Sequence, residues 1–324
     1  MSECRVLVTR HVFPEAVDLL RPHVALTYHD SRDGMTPEEL AEAVADKHAL
    51  ICQLTDSVGE GILDAGAELG IVANVAVGYD NIDIAAAERR GIVVTNTPGV
   101  LTESTADLAF ALLMATARRI TEAERFLRAG KWRQWEIDLL SGLDVHARTL
   151  GIVGMGRIGQ ALARRARGFG MRVIYHSRSR LDAGLEAEFG VANIAFAELL
   201  AAADFVSVHV PLTSETKGLI GAEELRQMRT TAILVNTSRG SIVDEDALIE
   251  ALRTGVIRGA GLDVFASEPD IDPRLLELDN VVLLPHIASS TVATRTTMCR
   301  IAAENVLAFA QGREPPNTVD QWRL

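Results

Sequence analysis

Short apolar runs bounded by turn residues recur along this chain. Between them lie segments whose apolar positions return every three or four residues. From residue 5 to about 98 the runs are "RVLVTR", "VALTYH", "ALICQL", "GIVANVAV" and "IVVTNT". They are brief and rich in branched side chains, so each predicts a buried strand. The clearest helical segment is "TPEELAEAVA", where Thr36 is placed to cap, Pro37 suits the first helical position and Glu39 completes a capping box. A long helical run, Glu103 to Ala129, follows, and then an irregular piece, "GKWRQWEIDLLSGLDV". From Thr149 the alternation resumes with "LGIVGMG", "RVIYH", "DFVSVHV", "AILVNTS", "IRGAGLDVF" and "NVVLLPH". A final helix, about Ser289 to Gln311, and the tail "REPPNTVDQWRL" close the chain. Strands alternating with helices predict parallel sheets covered on both faces, here in two α/β units.

Composition narrows the function classes. The 324 residues suffice for two domains, and 48% hydrophobic with 23% charged residues is ordinary for a globular protein. A net charge of −12 argues against a nucleic-acid partner, which needs a basic face, although "ARRARGFGMR" is basic enough locally to hold a small anion. Cys4, Cys52 and Cys299 are scattered and odd in number, which points to a reducing compartment and to neither a disulfide framework nor a metal site. The start, "CRVLVTR", has no signal pattern, and no apolar run approaches the roughly 18 residues of a membrane helix. The expectation is a cytoplasmic protein with no membrane partner.

The chemistry begins at "GMGRIG", Gly154 to Gly159, which follows an apolar strand and opens a helix. In that setting the pattern is a dinucleotide-binding turn. Gly154 permits the tight turn, Gly156 lets backbone approach a pyrophosphate, and Gly159 lets the helix pack closely. The helix N-terminus presents N–H groups to the anion. About 20 residues on, such units place an acid that accepts the adenosine ribose hydroxyls. Here the position falls at Ser177, followed by Arg178, Ser179 and Arg180. An acid would repel a 2′-phosphate, whereas a serine donates to it and a guanidinium matches its geometry. The swing is on the order of 1–3 kcal/mol, about tenfold to a hundredfold, in favour of NADPH, with NADH still possible.

Three further stretches, "VNTSRGSIVDEDAL", "GAGLDVFASEP" and "VLLPHIASST", join the glycine turn and "VANVAVGYDNIDIAAAERRGIVVTNTPGVLTESTADLAFALLMATARR". Together they resemble the D-isomer-specific 2-hydroxyacid dehydrogenases, and within that family the glyoxylate/hydroxypyruvate reductase branch. The resemblance spans residues 5 to 320. It implies a flavodoxin-like substrate domain (1–98 and 288–324) and an inserted Rossmann-type cofactor domain (99–287), with a cleft between them. It further implies a homodimer formed through the long helix and the tryptophan segment. The implied catalytic trio is Arg239, Glu268 and His286, acting on a small 2-oxo or 2-hydroxy acid. The residue types suit reduction of a carbonyl. Histidine is an apt proton donor, a neighbouring carboxylate favours its charged form, and arginine grips a substrate carboxylate.

Other positions carry over from the same resemblance. Leu54, Val77 and Gly78 match the substrate side. Thr105, Met155, Arg157, Ile158, Val210, Pro211, Thr216, Thr237, Ser238, Asp263 and Ala288 match cofactor contacts, to which Arg239 and His286 also contribute. One departure stands out: Leu139 falls near the position where this branch often carries an aromatic residue reaching the partner subunit's pocket, beyond Trp132 and Trp135. Two alternatives stay open. One is a different dehydrogenase of the family, for 3-phosphoglycerate or a bulkier oxo acid. The other is a dinucleotide-sensing corepressor, which shares the fold.

Overall fold

The computed structural model describes residues 3–319, so the last residues of the proline-bearing tail lie outside it. The chain forms two compact units. One comprises the residues up to Leu101 together with those from Ser289 onward, and the other is Thr102–Ala288.

In the first unit the elements run β1 (Arg5–Val8), α1 (Pro14–Leu20), β2 (Ala25–Tyr28), α2 (Pro37–Val44), β3 (Ala49–Cys52), α3 (Glu60–Ala65), β4 (Ile71–Asn74), α4 (Ile84–Arg89) and β5 (Val93–Thr95). The second unit opens with α5 (Thr102–Ala117), α6 (Ile120–Arg128), β6 (Thr149–Val153), α7 (Arg157–Gly168), β7 (Arg172–His176), α8 (Ala183–Phe189), β8 (Val191–Asn193) and α9 (Phe196–Ala202). It continues through β9 (Phe205–Val208), α10 (Ala222–Gln227), β10 (Ile233–Asn236), α11 (Glu245–Thr254), β11 (Gly259–Leu262), α12 (Pro273–Leu276) and β12 (Val281–Leu283). Helix α13 (Val292–Ala310) then returns to the first unit.

Both sheets are wholly parallel, as the alternation of strand and helix predicts. The first has the order β2-β1-β3-β4-β5, and the second β12-β11-β10-β9-β6-β7-β8. These are the flavodoxin-like and Rossmann-type doubly wound orders. Burial on both faces follows from the period of two along each strand. Val6 and Val8 pack with α1 and α13, while Leu7 between them joins the opposite layer with Leu40 and Val44 of α2. In the second sheet Leu150 and Ile152 face the core containing α5 and α7, and Val153 faces the core of α9 and α11.

The capping box forms as the sequence predicts: the Glu39 amide donates to Thr36 Oγ1 (3.2 Å) and the Thr36 amide to Glu39 Oε2 (2.8 Å). The single long helix expected from Glu103 to Ala129 does not form. The run divides at Arg118–Arg119, where Arg119 takes φ 52° and forks onto Glu122. The break has a distant cause, because the Leu143 amide, returning from the tryptophan segment, donates to the Ala117 carbonyl at the end of α5. The short edge strand β8 was also not expected. No helix among the described residues is long and apolar enough to cross a membrane.

A buried carboxylate organises the first unit where its strands end. Asp56, 3% exposed, accepts from Thr9 Oγ1 (2.6 Å), from the Gln53 amide (2.7 Å) and from Nε and Nη2 of Arg10 (3.0 and 2.8 Å). Asp56→Ala leaves the largely buried Arg10 guanidinium without its counter-charge. It is expected to lower stability by about 3–5 kcal/mol, read as a shift of the urea midpoint at unchanged slope.

Candidate active site

The glycine turn joins three strand ends. The Gly154 amide donates to the His176 carbonyl at the end of β7 (2.8 Å), and the His209 amide, just beyond β9, donates to the Val153 carbonyl (2.7 Å). Gly154 sits at φ 98°, and a Cβ there would lie 2.7 Å from the His209 carbonyl carbon. A Cβ on Gly159 would lie 2.3 Å from the Gly154 carbonyl oxygen, so both positions admit only glycine. Met155 is buried, Ile158 is half-buried, and Gly156 and Arg157 are exposed. Gly156 caps α7 without any side-chain bond to the helix amides, and the space where its Cβ would stand is open. The first amides of a 12-residue helix thus face an open cradle, which fits a pyrophosphate. His209 does not titrate near neutrality. Burial pushes it down to about 4, and its Nε2 lies 2.8 Å from Ser207 Oγ.

At the end of β7, Ser177 is half-buried and Arg178, Ser179 and Arg180 are exposed. The two arginines differ. Arg180 forks onto Glu186 of α8 through Nε (2.9 Å) and Nη2 (2.7 Å), and Tyr175 donates to the same carboxylate (2.7 Å). The hydrogen bonds from Arg180 and then Tyr175 pull the Glu186 carboxyl down to about 2. The charge of Arg180 is therefore matched. Arg178 has no such partner among the described residues.

The loops after β9 and β10 meet through Ser238, whose hydroxyl donates to the Val210 carbonyl. Pro211 and Thr216 close the loop after β9, Thr216 Oγ1 donating to the Pro211 carbonyl (2.5 Å). Asn236, the buried last residue of β10, shapes the turn that carries Arg239. Its Nδ2 donates to the Arg239 carbonyl (2.9 Å) and its Oδ1 accepts from the Ser238 amide (3.0 Å). Thr237 Oγ1 is buried with no hydrogen-bond partner among the described residues. Thr105 is buried on α5.

Glu268 and His286 meet although 18 residues separate them: Glu268 Oε2 lies 2.7 Å from His286 Nδ1. Glu268 Oε1 also accepts from the Phe265 amide (2.9 Å). Burial alone would raise the Glu268 carboxyl. The bonds from His286 and Phe265, with the charges of His286 and Arg239, outweigh it and hold the group below its ordinary value of 4.5. The turn carrying His286 is fixed by Asp263, which is wholly buried. Its Oδ1 and Oδ2 accept the Ile287 and Ala288 amides, both at 2.8 Å, and its carbonyl accepts the His286 amide (2.9 Å). Burial raises the Asp263 carboxyl, against the pull of those two amides. Arg239, Glu268 and His286 thus emerge from the carboxyl ends of β10, β11 and β12, three adjacent strands of the sheet that also carries the glycine turn.

The first unit holds the remaining predicted positions. Leu54 is half-buried in the turn after β3. After β4, Asn96 Nδ2 donates to the Val77 carbonyl (2.8 Å) and Asn74 Nδ2 to the Gly78 carbonyl (2.9 Å). The Val77 and Gly78 amides make no hydrogen bond among the described residues, so two adjacent N–H donors are available to an anion. Sequence reasoning missed Asn74, Asn81, Asn96, Asn236 and Glu186. Asn74 and Asn81 lie inside the quoted "VANVAVGYDNID", where two asparagines flanking a turn were the available signal.

A parallel sheet whose first strand opens a glycine cradle, with an Arg, a carboxylate and a His at neighbouring strand ends, defines the class: a dinucleotide-binding α/β oxidoreductase. Residues 110–288 match the family model described as the NAD binding domain of D-isomer specific 2-hydroxyacid dehydrogenases. A glyoxylate reductase of Korarchaeum cryptofilum is 52% identical over 98% of this chain and 96% of its own length, and one of Thermococcus onnurineus is 48% identical over 98% and 96%. Among solved structures, a Thermus thermophilus protein superposes with a TM-score of 0.91 at 47% identity, covering 97% of this chain and 99% of that one. An NADPH-dependent glyoxylate/hydroxypyruvate reductase of Sinorhizobium meliloti, in complex with NADP and malonate, gives 0.87 at 37% identity over 98% and 97%. The chain belongs to the D-isomer specific 2-hydroxyacid dehydrogenase family and is an NAD(P)-dependent oxidoreductase.

Because its carboxyl is held below 4.5 in the folded protein, Glu268 adds stability above that pH and loses it as the pH falls through the lowered value. The melting-temperature advantage of the wild type over Glu268→Gln is expected to shrink on acidification from about pH 6 to about pH 3. An advantage that stays constant over that range would contradict the assignment.

Proposed function

We propose that this protein is an NADPH-preferring reductase of small 2-oxo acids, converting glyoxylate to glycolate and hydroxypyruvate to D-glycerate. The observation that carries the proposal is the contact of His286 Nδ1 with Glu268 at 2.7 Å, on strand ends next to that of Arg239 and in the sheet that bears the glycine cradle. The relatives' names, glyoxylate reductase throughout the most similar curated proteins given above, support the substrate.

When bound, the reduced nicotinamide supplies the hydride for the carbonyl carbon. Gly154 to Gly159 and the N-terminus of α7 would hold its pyrophosphate, Ser177 and Arg178 its 2′-phosphate, and Thr237 the nicotinamide side. Arg239 binds the substrate carboxylate and places positive charge where the carbonyl oxygen gains negative charge. Glu268, on Nδ1, fixes the imidazole so that the opposite nitrogen, Nε2, carries the proton delivered to that oxygen. The paired amides of Val77 and Gly78, beside Leu54, receive the oxo acid on the first unit, which we assign as the substrate-binding domain, the second being the cofactor-binding domain.

We also assign a cytoplasmic homodimer. Trp132, Trp135 and Ile137 are 55%, 73% and 82% exposed, and Ile120 and Leu127 of α6 are exposed as well. Large apolar side chains left exposed on consecutive segments support an association surface there.

Turnover of glyoxylate, hydroxypyruvate and pyruvate with NADPH and NADH, measured side by side, tests the proposal. NADPH is expected to be preferred by about tenfold or more, and an equal or better rate with NADH overturns the cofactor assignment. His286→Gln is expected to remove most turnover, by a factor of about 100 or more, while NADPH affinity stays nearly constant. Equal losses in both would sink the proton-donor role. Glu186→Gln, which withdraws a negative charge and releases Arg180 beside Ser177, is expected to lower the KM for NADPH about threefold and leave that for NADH unchanged.

A further inference from the structure

We infer that Glu245, in the first turn of α11, is a positioning residue for the reduction proposed above: it fixes the loop that carries Glu268, and through Glu268 the imidazole of His286. The inference rests on the proposed role of the Glu268–His286 pair. The stretch "VNTSRGSIVDEDAL" supplies Thr237, Ser238 and Arg239 to the candidate site, and six residues beyond Arg239 it brings Glu245 to the same place.

The loop from Phe265 to Glu268 leaves β11 with no strand or helix to hold it, and Ala266 and Ser267 are exposed. The Phe265 amide donates to Glu268 Oε1 (2.9 Å), which closes the loop on itself without fixing it to its surroundings. The tie from outside is the Ala266 amide, which donates to Glu245 Oε2 at 3.0 Å. Among the described residues no other group beyond the loop hydrogen-bonds its backbone. The peptide between Phe265 and Ala266 is met from the Arg239 side as well. A Cβ on Gly240 would lie 1.9 Å from the Phe265 carbonyl carbon and 2.4 Å from the Ala266 nitrogen, so the backbone of Gly240 stands directly against this peptide.

The connection from β10 to α11 therefore carries Arg239 at one end and, at the other, the side chain that anchors the loop of Glu268. That connection is well held. Ile242 and Val243 are buried, the Ile220 amide donates to the Ile242 carbonyl (3.2 Å), and the Asp244 amide donates to the Ile220 carbonyl (2.9 Å). Asp244 caps α11 by accepting the Ala247 amide (3.0 Å), so the start of the helix does not depend on Glu245. His286 and Glu268 thus have separate supports. Asp263 fixes the turn of the histidine, Glu245 fixes the loop of the acid, and the 2.7 Å contact between them needs both. Small displacements of such a pair are costly to the rate.

Steady-state kinetics of Glu245→Asp, Glu245→Gln and His286→Gln test the inference, with glyoxylate or hydroxypyruvate, whichever the wild type reduces faster. Glu245→Asp keeps an acid at the start of the helix but draws the acceptor back by one methylene. Glu245→Gln keeps the length and an acceptor oxygen and gives up the acid. Glu245→Asp is expected to lower kcat about tenfold with the KM of oxo acid and cofactor within about twofold of the wild type, whereas Glu245→Gln keeps kcat within about twofold. A role confined to helix stability predicts the reverse order, because the helix N-terminus favours an acid. That order overturns the inference, as do equal losses in the two variants, an undiminished Glu245→Asp, or a loss expressed in KM. His286→Gln separates the two levels. If it keeps wild-type turnover, the proton-donor reading falls and the role of Glu245 falls with it. If it is inactive while Glu245→Asp is unimpaired, the reading stands and the assignment of Glu245 alone is lost.

Discussion

The arrangement of the candidate site depends on the side chain of Asp263. Wholly buried, it spends both carboxylate oxygens on the amides of Ile287 and Ala288, while its own carbonyl takes the amide of His286. These bonds hold His286 at φ 52°, in the left-handed region, where a side chain with a Cβ costs roughly 1–2 kcal/mol. Three hydrogen bonds to one residue offset that strain, and from the turn they fix His286 Nδ1 meets Glu268. Glu268 is itself tethered by the Phe265 amide on the loop that follows Asp263. The Glu268–His286 pair is therefore positioned by the backbone of two neighbouring strand ends.

The same device recurs across both sheets. Strand after strand ends on a buried polar residue that serves the loop beyond it. Thr9 after β1 donates to Asp56, Asn74 at the end of β4 holds the Gly78 carbonyl, and Asn236 at the end of β10 forms the Arg239 turn. Asn81 ties two loops together, donating to the Gln53 and Asp56 carbonyls while its Oδ1 accepts from Asn74. Buried polar groups are costly unless satisfied, and here the loop backbone satisfies them. Carbonyls are consumed in this way and amides are left over, as at Val77 and Gly78. A loop built so presents donors to the outside, which suits anionic ligands.

Much of this was legible in the sequence because the determinants are local. Four- and five-residue branched runs give buried strands, Thr36 and Glu39 cap α2, and the spacing of Gly154, Gly156 and Gly159 demands a tight strand-to-helix turn. What stayed hidden depends on partners distant in sequence. Helix α5 ends at Ala117 because Leu143 supplies an amide from 26 residues away, and no helix-stop residue announces it. Arg178 and Arg180 look equivalent in "SRSR", yet only the fold brings Glu186 onto one of them. The contact of Glu268 with His286 likewise could not be derived from spacing. It entered as an implication of family resemblance, and the structure supplies its physical cause in Asp263.

Charge is distributed to the same end. Several arginines pair outward on helix surfaces: Arg89 and Arg90 with Glu60 and Asp64, Arg164 and Arg165 with Glu103 and Asp107, Arg274 with Asp246 and Asp272. Such exposed pairs add little stability, but they remove positive charge from the general surface. Two arginines outside those pairs, Arg178 after β7 and Arg32 after β2, stand just beyond the carboxyl ends of strands. A chain of net charge −12 would repel an anionic cofactor and an anionic acid at long range. At physiological ionic strength the Debye length is only about 8 Å, so that repulsion is screened while a guanidinium in contact is not. Under the proposed function, anion selectivity is therefore decided within the last few ångströms, by the amides and arginines at the strand ends.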